Sequence, residues 1–109
     1  MPVPQRIVAF LAANYARPEL GLSLIAQELN LSEAAVSAGV KEATGEGLRQ
    51  HLSRLRLTEA ARLVKESQMQ MTEIAFRVGF SNAPHFNRQF RELWGCSPSE
   101  MRQTRLDKA

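Results

Sequence analysis

One pattern occurs twice in this chain, and the repeat limits the folds open to it more than any other feature. The segment LIAQELNLS (24–32) aligns with EIAFRVGFS (73–81) at an offset of 49 residues. The second copy then gains one residue, and further pairs match at an offset of 50: Val36 with Phe86, Val40 with Phe90, and Gly45 with Gly95. Each copy predicts a helix, a short turn at Asn30 or Gly79, and a second helix, which is the layout of a helix-turn-helix.

The rest of the chain also predicts helices. None of the five prolines falls in the middle of a helical pattern, and no segment alternates apolar and polar residues over a strand's length. The sequence therefore predicts an all-α fold of about seven helices, with each unit homeodomain-like. The expected helices cover about 4–16, 23–30, 33–44, 48–66, 72–78, 82–94 and from 98 onward.

Cap residues predict several helix ends. Ser23 and Ser32 are expected to be N-caps of the second and third helices. Ser97, Pro98 and Glu100 have the order of a capping box with proline at the first helical position, so a helix is expected to begin there.

The helix over 48–66 is the longest and is expected to link the two units. It carries two apolar stripes on nearly opposite sides. These are Leu48, Leu52 and Leu55, then Leu57, Ala61 and Val64. Such a helix can pack against one cluster at its start and another at its end. We therefore expect an N-terminal helix-turn-helix subdomain (1–47), a linker helix (48–66) and a C-terminal subdomain (67–109).

The helix over 82–94 separates its side chains into two faces. The apolar residues are expected in a core with Phe80; they are Phe86, Phe90, Leu93 and Trp94. The opposite face carries Pro84, Arg88 and Arg91, flanked by His85, Asn87 and Glu92. Arg88 lies one turn into the helix, where a guanidinium can pair bidentately with a guanine edge in a DNA major groove. Arg91 lies a turn further along and is expected to meet backbone phosphate.

Composition and charge agree with a DNA partner. Residues 1–53 hold four Arg or Lys against five Glu, a net charge of −1, whereas residues 54–109 hold ten against six Asp or Glu, a net charge of +4. A basic half favours a polyanionic partner. The chain has no signal-peptide pattern and one cysteine, Cys96, which fits a reducing cytoplasm.

The segment MTEIAFRVGFSNAPHFNRQFRELWGCSPSEMR (71–102) resembles the signature region of the AraC/XylS family of bacterial transcription activators. The matching elements are Ile74-Ala75, Val78-Gly79-Phe80-Ser81, Phe86, Arg88-x-Phe90-Arg91, Gly95 and Ser97-Pro98-x-x-x-Arg102. LRLTEAARLV (55–64) is similar to the connecting helix of the family, and the resemblance covers about 5–105. It implies two helix-turn-helix subdomains that face one side of the DNA, with no cofactor.

The resemblance also implies which positions read bases. In the second unit these are Ala83, Pro84, Asn87 and Arg88, and in the first unit they are Glu33, Ala34, Ser37 and Ala38. Lys41 is expected to meet phosphate.

The first unit departs from the family pattern at three neighbouring positions. Ala38 stands where the family usually has Arg, Gly39 where it has a large side chain, and Val40 where it has Phe. A glycine within a helix costs about 1 kcal/mol relative to alanine. We therefore expect the second unit to supply most of the sequence specificity, and the first unit mainly to dock on the DNA or to stabilise the fold.

Two other functions are alternatives to DNA binding. An enzyme would need a nucleophile or a metal cluster, and His51, His85 and Cys96 do not have the spacing of either, so no catalysis is expected. A protein-interaction module that contacts RNA polymerase or another regulator, with only weak DNA binding, remains an alternative.

The resemblance implies further partners and a location for the chain. Its partners would be promoter DNA, RNA polymerase and an N-terminal effector or dimerisation domain outside the chain, and its location would be the nucleoid of the cytoplasm. We expect a domain excised from a longer regulator, with a small stand-alone regulator as the alternative.

Overall fold

The structure is a computed structural model that describes residues 1–108, with side chains through residue 106. In these residues the chain forms seven helices and no strand, which confirms the all-α prediction. The helices are α1 (Val3–Asn14), α2 (Leu22–Leu29), α3 (Glu33–Thr44), α4 (Leu48–Glu66), α5 (Met71–Arg77), α6 (Ala83–Trp94) and α7 (Pro98–Lys108). The predicted ends agree with the observed ones to about two residues, the usual uncertainty of helix termini.

The two helix-turn-helix units have the same hydrogen bonds at their turns. In the first unit the amide of Leu31 donates to the carbonyl of Ala26, and in the second the amide of Phe80 donates to the carbonyl of Ala75, both at 2.9 Å. The turn residue has positive φ in each case, 57° at Asn30 and 111° at Gly79. These pairs keep the 49-residue offset of the sequence repeat, so the repeat is structural as well as sequential.

Polar N-caps begin both second helices. The Ser32 hydroxyl accepts the amide of Ala35 at 3.0 Å. Asn82 makes the same bond to the amide of His85 at 2.8 Å. Each bond satisfies a backbone donor that the first turn of a helix leaves unpaired.

The predicted cap at Ser23 is wrong. α2 begins one residue earlier, at Leu22, and the N-cap is Gly21, which offers no side-chain bond. The side chain of Leu22 packs against the N-terminal core, and this burial places the helix start without a polar cap.

Two separate hydrophobic clusters lie at the two ends of α4. The N-terminal cluster contains Ile7, Leu11, Leu20, Ile25, Ala26, Val36, Val40 and Leu52. The C-terminal cluster contains Leu57, Ala60, Ala61, Leu63, Val64, Ile74, Ala75, Val78, Phe80, Phe86 and Phe90. α4 changes its buried face between Leu52 and Leu57, as the two stripes of the sequence predict. One helix therefore contributes to both cores.

The expectation that Trp94 belongs to the core is wrong. Its side chain is 39% exposed, whereas Phe86 and Phe90 are fully buried. Trp94 is the last residue of α6, and its indole N–H donates to the carbonyl of Leu57 at 3.1 Å. The ring therefore lies at the rim of the C-terminal cluster, where a polar N–H can find a partner.

Gly39 lies where α1 crosses α3. A β-carbon at this position would stand 2.5 Å from Cδ1 of Ile7, which is itself fully buried. The glycine thus allows the two helices to approach closely. This close contact explains why α3 has a glycine here, although glycine is a weaker helix former than other residues.

Gly39→Leu should therefore lower the free energy of unfolding by about 1–3 kcal/mol, because a side chain here forces α1 away from α3. Ala38→Leu, on the exposed neighbouring position, is the matched control and should leave stability nearly unchanged. Urea unfolding followed by circular dichroism measures both variants. If Gly39 were only a weak helix former, Gly39→Leu would stabilise the protein instead.

The molecule is elongated, with principal extents of 47 × 22 × 21 Å. None of the helices in the described part of the chain is long and apolar enough to cross a membrane. The length arises because the two units lie at opposite ends of the 19-residue α4.

Candidate nucleic-acid interface

α6 presents a polar face opposite its buried aromatic face. The predicted contact residues Pro84, His85, Asn87, Arg88 and Arg91 are all exposed, and Ala83 is half-buried. The buried side chains on the other side are Phe86 and Phe90, whose ring centroids lie 5.7 Å apart. Packing of these rings fixes the rotation of α6, and that rotation turns the polar face outward.

Two arginines on this face differ in their partners. Arg88 makes no hydrogen bond or ion pair within the described residues, so its guanidinium is available to a ligand. Arg91 lies 3.2 Å from a carboxylate oxygen of Glu100, with both side chains more than half exposed. An exposed pair of this kind contributes about 0–1 kcal/mol, so a phosphate could replace Glu100 as the partner of Arg91.

The Arg91 pair places the start of α7 next to the predicted reading face. The Glu100 carboxylate accepts a hydrogen bond from the amide of Ser97 at 3.1 Å, and the Ser97 hydroxyl accepts one from the amide of Glu100 at 3.1 Å. These two bonds confirm the predicted capping box. The bond from the Ser97 amide is the main reason that the pKa of the Glu100 carboxyl lies below its ordinary value. Glu100 is therefore charged at neutral pH and can pair with Arg91 of α6.

The corresponding face of α3 offers little polar chemistry. Its predicted contact residues Glu33, Ala34, Ser37, Ala38 and Lys41 are all exposed. Two of the five are alanines. The ammonium of Lys41 donates to the carbonyl of Gly45 at 2.9 Å, which caps the end of α3. The face has the same placement as the face of α6, but it has no arginine.

A groove of about 640 Å³ separates α3 from α6, and α4 forms its floor. Its polar lining residues are Ser37, Arg49, Ser53, Arg56, His85 and Gln89, and no acidic side chain among residues 1–106 lines it. Of these six residues, the sequence predicted only Ser37 and His85 as contact residues. Arg49 gave a weak signal, a cation at the start of the linker helix, whereas the others depend on the tertiary fold.

Ser53 and Gln89 connect the floor of this groove to α6. The hydroxyl of Ser53 donates to the amide oxygen of Gln89 at 3.1 Å. The bond joins the first half of α4 to the helix that carries Arg88. The position of the predicted reading helix is therefore set partly by the linker.

The residues considered for catalysis do not form a metal site. No group of three His, Cys, Asp or Glu in the described chain could hold a metal ion. His85 is exposed beside Phe80, at 5.7 Å between ring centroids, and Cys96 is a partly exposed free thiol. Both ring nitrogens of His51 are buried and lack a hydrogen-bond partner among the described residues.

Comparison with known proteins gives consistent matches. A family model described as a helix-turn-helix domain matches residues 25–104. The HTH-type transcriptional activator RhaS of Escherichia coli O139:H28 is 34% identical over 99 residues, which are 91% of this chain and 35% of RhaS. The chain thus spans about a third of the length of the curated relatives that it matches.

Solved structures of similar fold cover nearly the whole chain. The C-terminal domain of AraT, a response regulator from Geobacillus stearothermophilus, has a TM-score of 0.91 at 28% identity, covering 96% of this chain and 87% of that one. The DNA-binding domain of AdpA, solved in complex with a target DNA, has a TM-score of 0.90 at 22% identity, covering 99% and 96%. At 22% identity, the likeness to the AdpA domain shows a shared fold alone.

Proposed function

The chain belongs to the AraC/XylS family of helix-turn-helix transcription regulators, and from that premise we propose that it binds duplex DNA with α6 in a major groove. The observation that carries this proposal is the exposed face of α6, on which Arg88 has no partner among the described residues while the aromatic face is buried. Arg88 would pair with a guanine edge, and Asn87 with an adenine edge or a phosphate. Ala83 and Pro84 would meet a thymine methyl group.

The two units would lie along one side of the duplex. Successive major-groove segments on one face are about 34 Å apart. A 47 Å molecule with one recognition helix in each half can reach both. α3 would occupy the second segment, where Lys41 can exchange the Gly45 carbonyl for a phosphate.

The DNA backbone between the two grooves would follow the groove of the protein between α3 and α6. This groove contains Arg49 and His85, and the side chains that the structure describes place no carboxylate in it, so its potential favours a phosphate chain. The contacts here would position the protein on the duplex without reading sequence.

We propose that the two units contribute unequally. α6 offers Arg88, Asn87 and Arg91, whereas α3 offers Ser37 and Glu33 as its polar candidates for bases. Glu33 can only accept a hydrogen bond, for instance from a cytosine amino group. α6 would therefore supply most of the specificity, and α3 would mainly dock.

Removing one phosphate contact should change the salt dependence of binding in a defined way. Arg49→Ala should reduce the slope of log K against log salt by about 1 and weaken binding to all sequences alike. Fluorescence anisotropy of labelled duplexes at several salt concentrations measures the slope.

Arg62→Ala removes the same charge from α4 and is the control. Arg62 is exposed and pairs with Glu59 at 2.7 Å and Glu66 at 3.4 Å. The slope of log K against log salt for Arg62→Ala should equal that of the parent protein. Equal changes in the two variants would mean that only net charge matters, and the proposed groove contact would be wrong. A parent protein whose affinity does not depend on salt would contradict DNA binding itself.

The role in transcription is the second part of the proposal. The similar E. coli protein is named as a transcriptional activator. We propose that this chain likewise activates transcription, with RNA polymerase as a partner and with effector binding or dimerisation assigned to a further domain. A promoter fusion in a reporter strain tests activation, and repression of the reporter would contradict it.

A further inference from the structure

Arg56 lies at the joint between the two hydrophobic clusters. The last buried residue of the N-terminal cluster on α4 is Leu52, with Leu55 packed partly buried against that cluster, and the C-terminal cluster begins at Leu57. Among the described residues, no single cluster of buried apolar side chains spans the two units at this point of α4. Long helices bend, so α4 alone is an incomplete constraint on how the two recognition helices face the same duplex.

The Arg56 side chain reaches from the joint to the end of α1. Its Nε donates to the carbonyl of Tyr15 at 2.7 Å, and its terminal nitrogen donates to the carbonyl of Arg17 at 2.9 Å. Burial lowers the pKa of the Arg56 guanidinium. No carboxylate of the described residues forms an ion pair with it, so these two carbonyls are its principal partners.

The same side chain touches the turn of the second unit. Its guanidinium carbon lies 6.0 Å from the centroid of the Phe80 ring. At Gly79 a β-carbon would stand 2.7 Å from Nε of Arg56 and 2.8 Å from the carbonyl oxygen of Tyr15. The α5–α6 turn therefore packs directly on Arg56 and on the end of α1.

We propose that Arg56 is a positioning residue that fixes the angle between the two helix-turn-helix units by joining the end of α1 to the α5–α6 turn. It closes a second connection between the units, in addition to α4. In relation to DNA the inference rests on the proposed function, because a fixed angle presents α3 and α6 to one duplex without reorganisation.

Arg102 provides a matched comparison within the same chain. It donates to the carbonyls of Val64 at 2.9 Å and Met69 at 2.7 Å, at the end of α4. Val64 is buried in the C-terminal cluster and Met69 packs against the same cluster, so Arg102 ties α7 to the end of α4 within one cluster. Its bonds do not connect the two clusters, so its loss should lower stability without freeing the angle between the units.

The angle can be measured without DNA by pulsed electron paramagnetic resonance. Nitroxide labels at Ala43→Cys and Glu73→Cys, both exposed and in different units, report the distance in a Cys96→Ser background. Arg56→Met should broaden the distance distribution about twofold, since units without a large shared interface move relative to each other. Arg56→Lys, which keeps the charge and a donor, should broaden it less, and Arg102→Met should leave it as narrow as in the parent.

The inference is overturned if Arg56→Met keeps the parent distribution, or if Arg102→Met broadens it equally. Circular dichroism establishes that each variant keeps its helices. If Arg56→Met does not fold, the distance distribution of Arg56→Lys is compared with that of the parent instead. If the distances respond as expected, Arg56→Met should also weaken binding to a preferred duplex about tenfold with unchanged base preference. A parent protein that does not bind DNA would contradict the proposed function, but the distance measurements would still test the role of Arg56.

Discussion

Arg88→Ala should sharply lower the sequence specificity of DNA binding by this protein. Arg88 is exposed on α6 and has no partner among the described residues, so its guanidinium can be used entirely for a base edge. Loss of a bidentate arginine contact costs about 1–3 kcal/mol at the position it reads. The difference in affinity between preferred and random duplex should therefore shrink by about 5- to 150-fold. Competition of labelled preferred duplex with unlabelled random duplex measures that difference.

The matched substitution in the first unit is Ser37→Ala. Ser37 is exposed at the equivalent part of α3, but a single hydroxyl reads DNA ambiguously. The affinity for preferred duplex should change by no more than about twofold. Equal losses in Arg88→Ala and Ser37→Ala would show that the two units read DNA equally, and the proposed asymmetry would then be wrong.

Gly79→Ala should destabilise the fold more than other glycine substitutions in the chain. Gly79 has φ of 111°, a conformation that side chains with a β-carbon rarely adopt. The added methyl would also meet the carbonyl oxygen of Tyr15 at 2.8 Å, and a backbone carbonyl has little freedom to move. Backbone strain of about 1–3 kcal/mol and steric overlap of about 1–3 kcal/mol together predict a loss of about 2–6 kcal/mol.

Gly45→Ala separates the two causes. Gly45 also has positive φ, at 77°, but nothing lies within 4 Å of the place of its β-carbon. Its cost should be limited to the backbone strain, about 1–3 kcal/mol. Urea unfolding of both variants gives the difference. If Gly45→Ala costs as much as Gly79→Ala, the contact with the end of α1 contributes nothing to stability.

Local sequence rules predicted most of the fold. The helix cap at Ser32, the turns at Asn30 and Gly79 and the change of face along α4 each depend on neighbouring residues, which the sequence shows directly. Ser23 misled because Leu22, an apolar residue, determines the start of α2 through packing. Trp94 misled because periodicity places a residue on a face of a helix but does not say how far the core extends.

Helical spacing predicted which side chains share an exposed face of one helix, but it did not predict which residues meet between elements. All eleven predicted contact residues lie at least partly exposed on α3 or α6, as helical spacing requires. The role of Gly39 depends on Ile7, and the role of Arg56 depends on Tyr15 and Arg17, about forty residues away in the chain. No local pattern contains such contacts, so only the folded structure reveals them.

If α6 supplies most of the sequence reading while α3 mainly docks, the preferred DNA sequence should reflect contacts in one major groove. Selection of bound duplexes from a random library, followed by sequencing, measures that preference. We expect one strongly preferred segment within a single major groove, including a guanine that loses its preference in Arg88→Ala. Two equally preferred segments about one helical turn apart would contradict it.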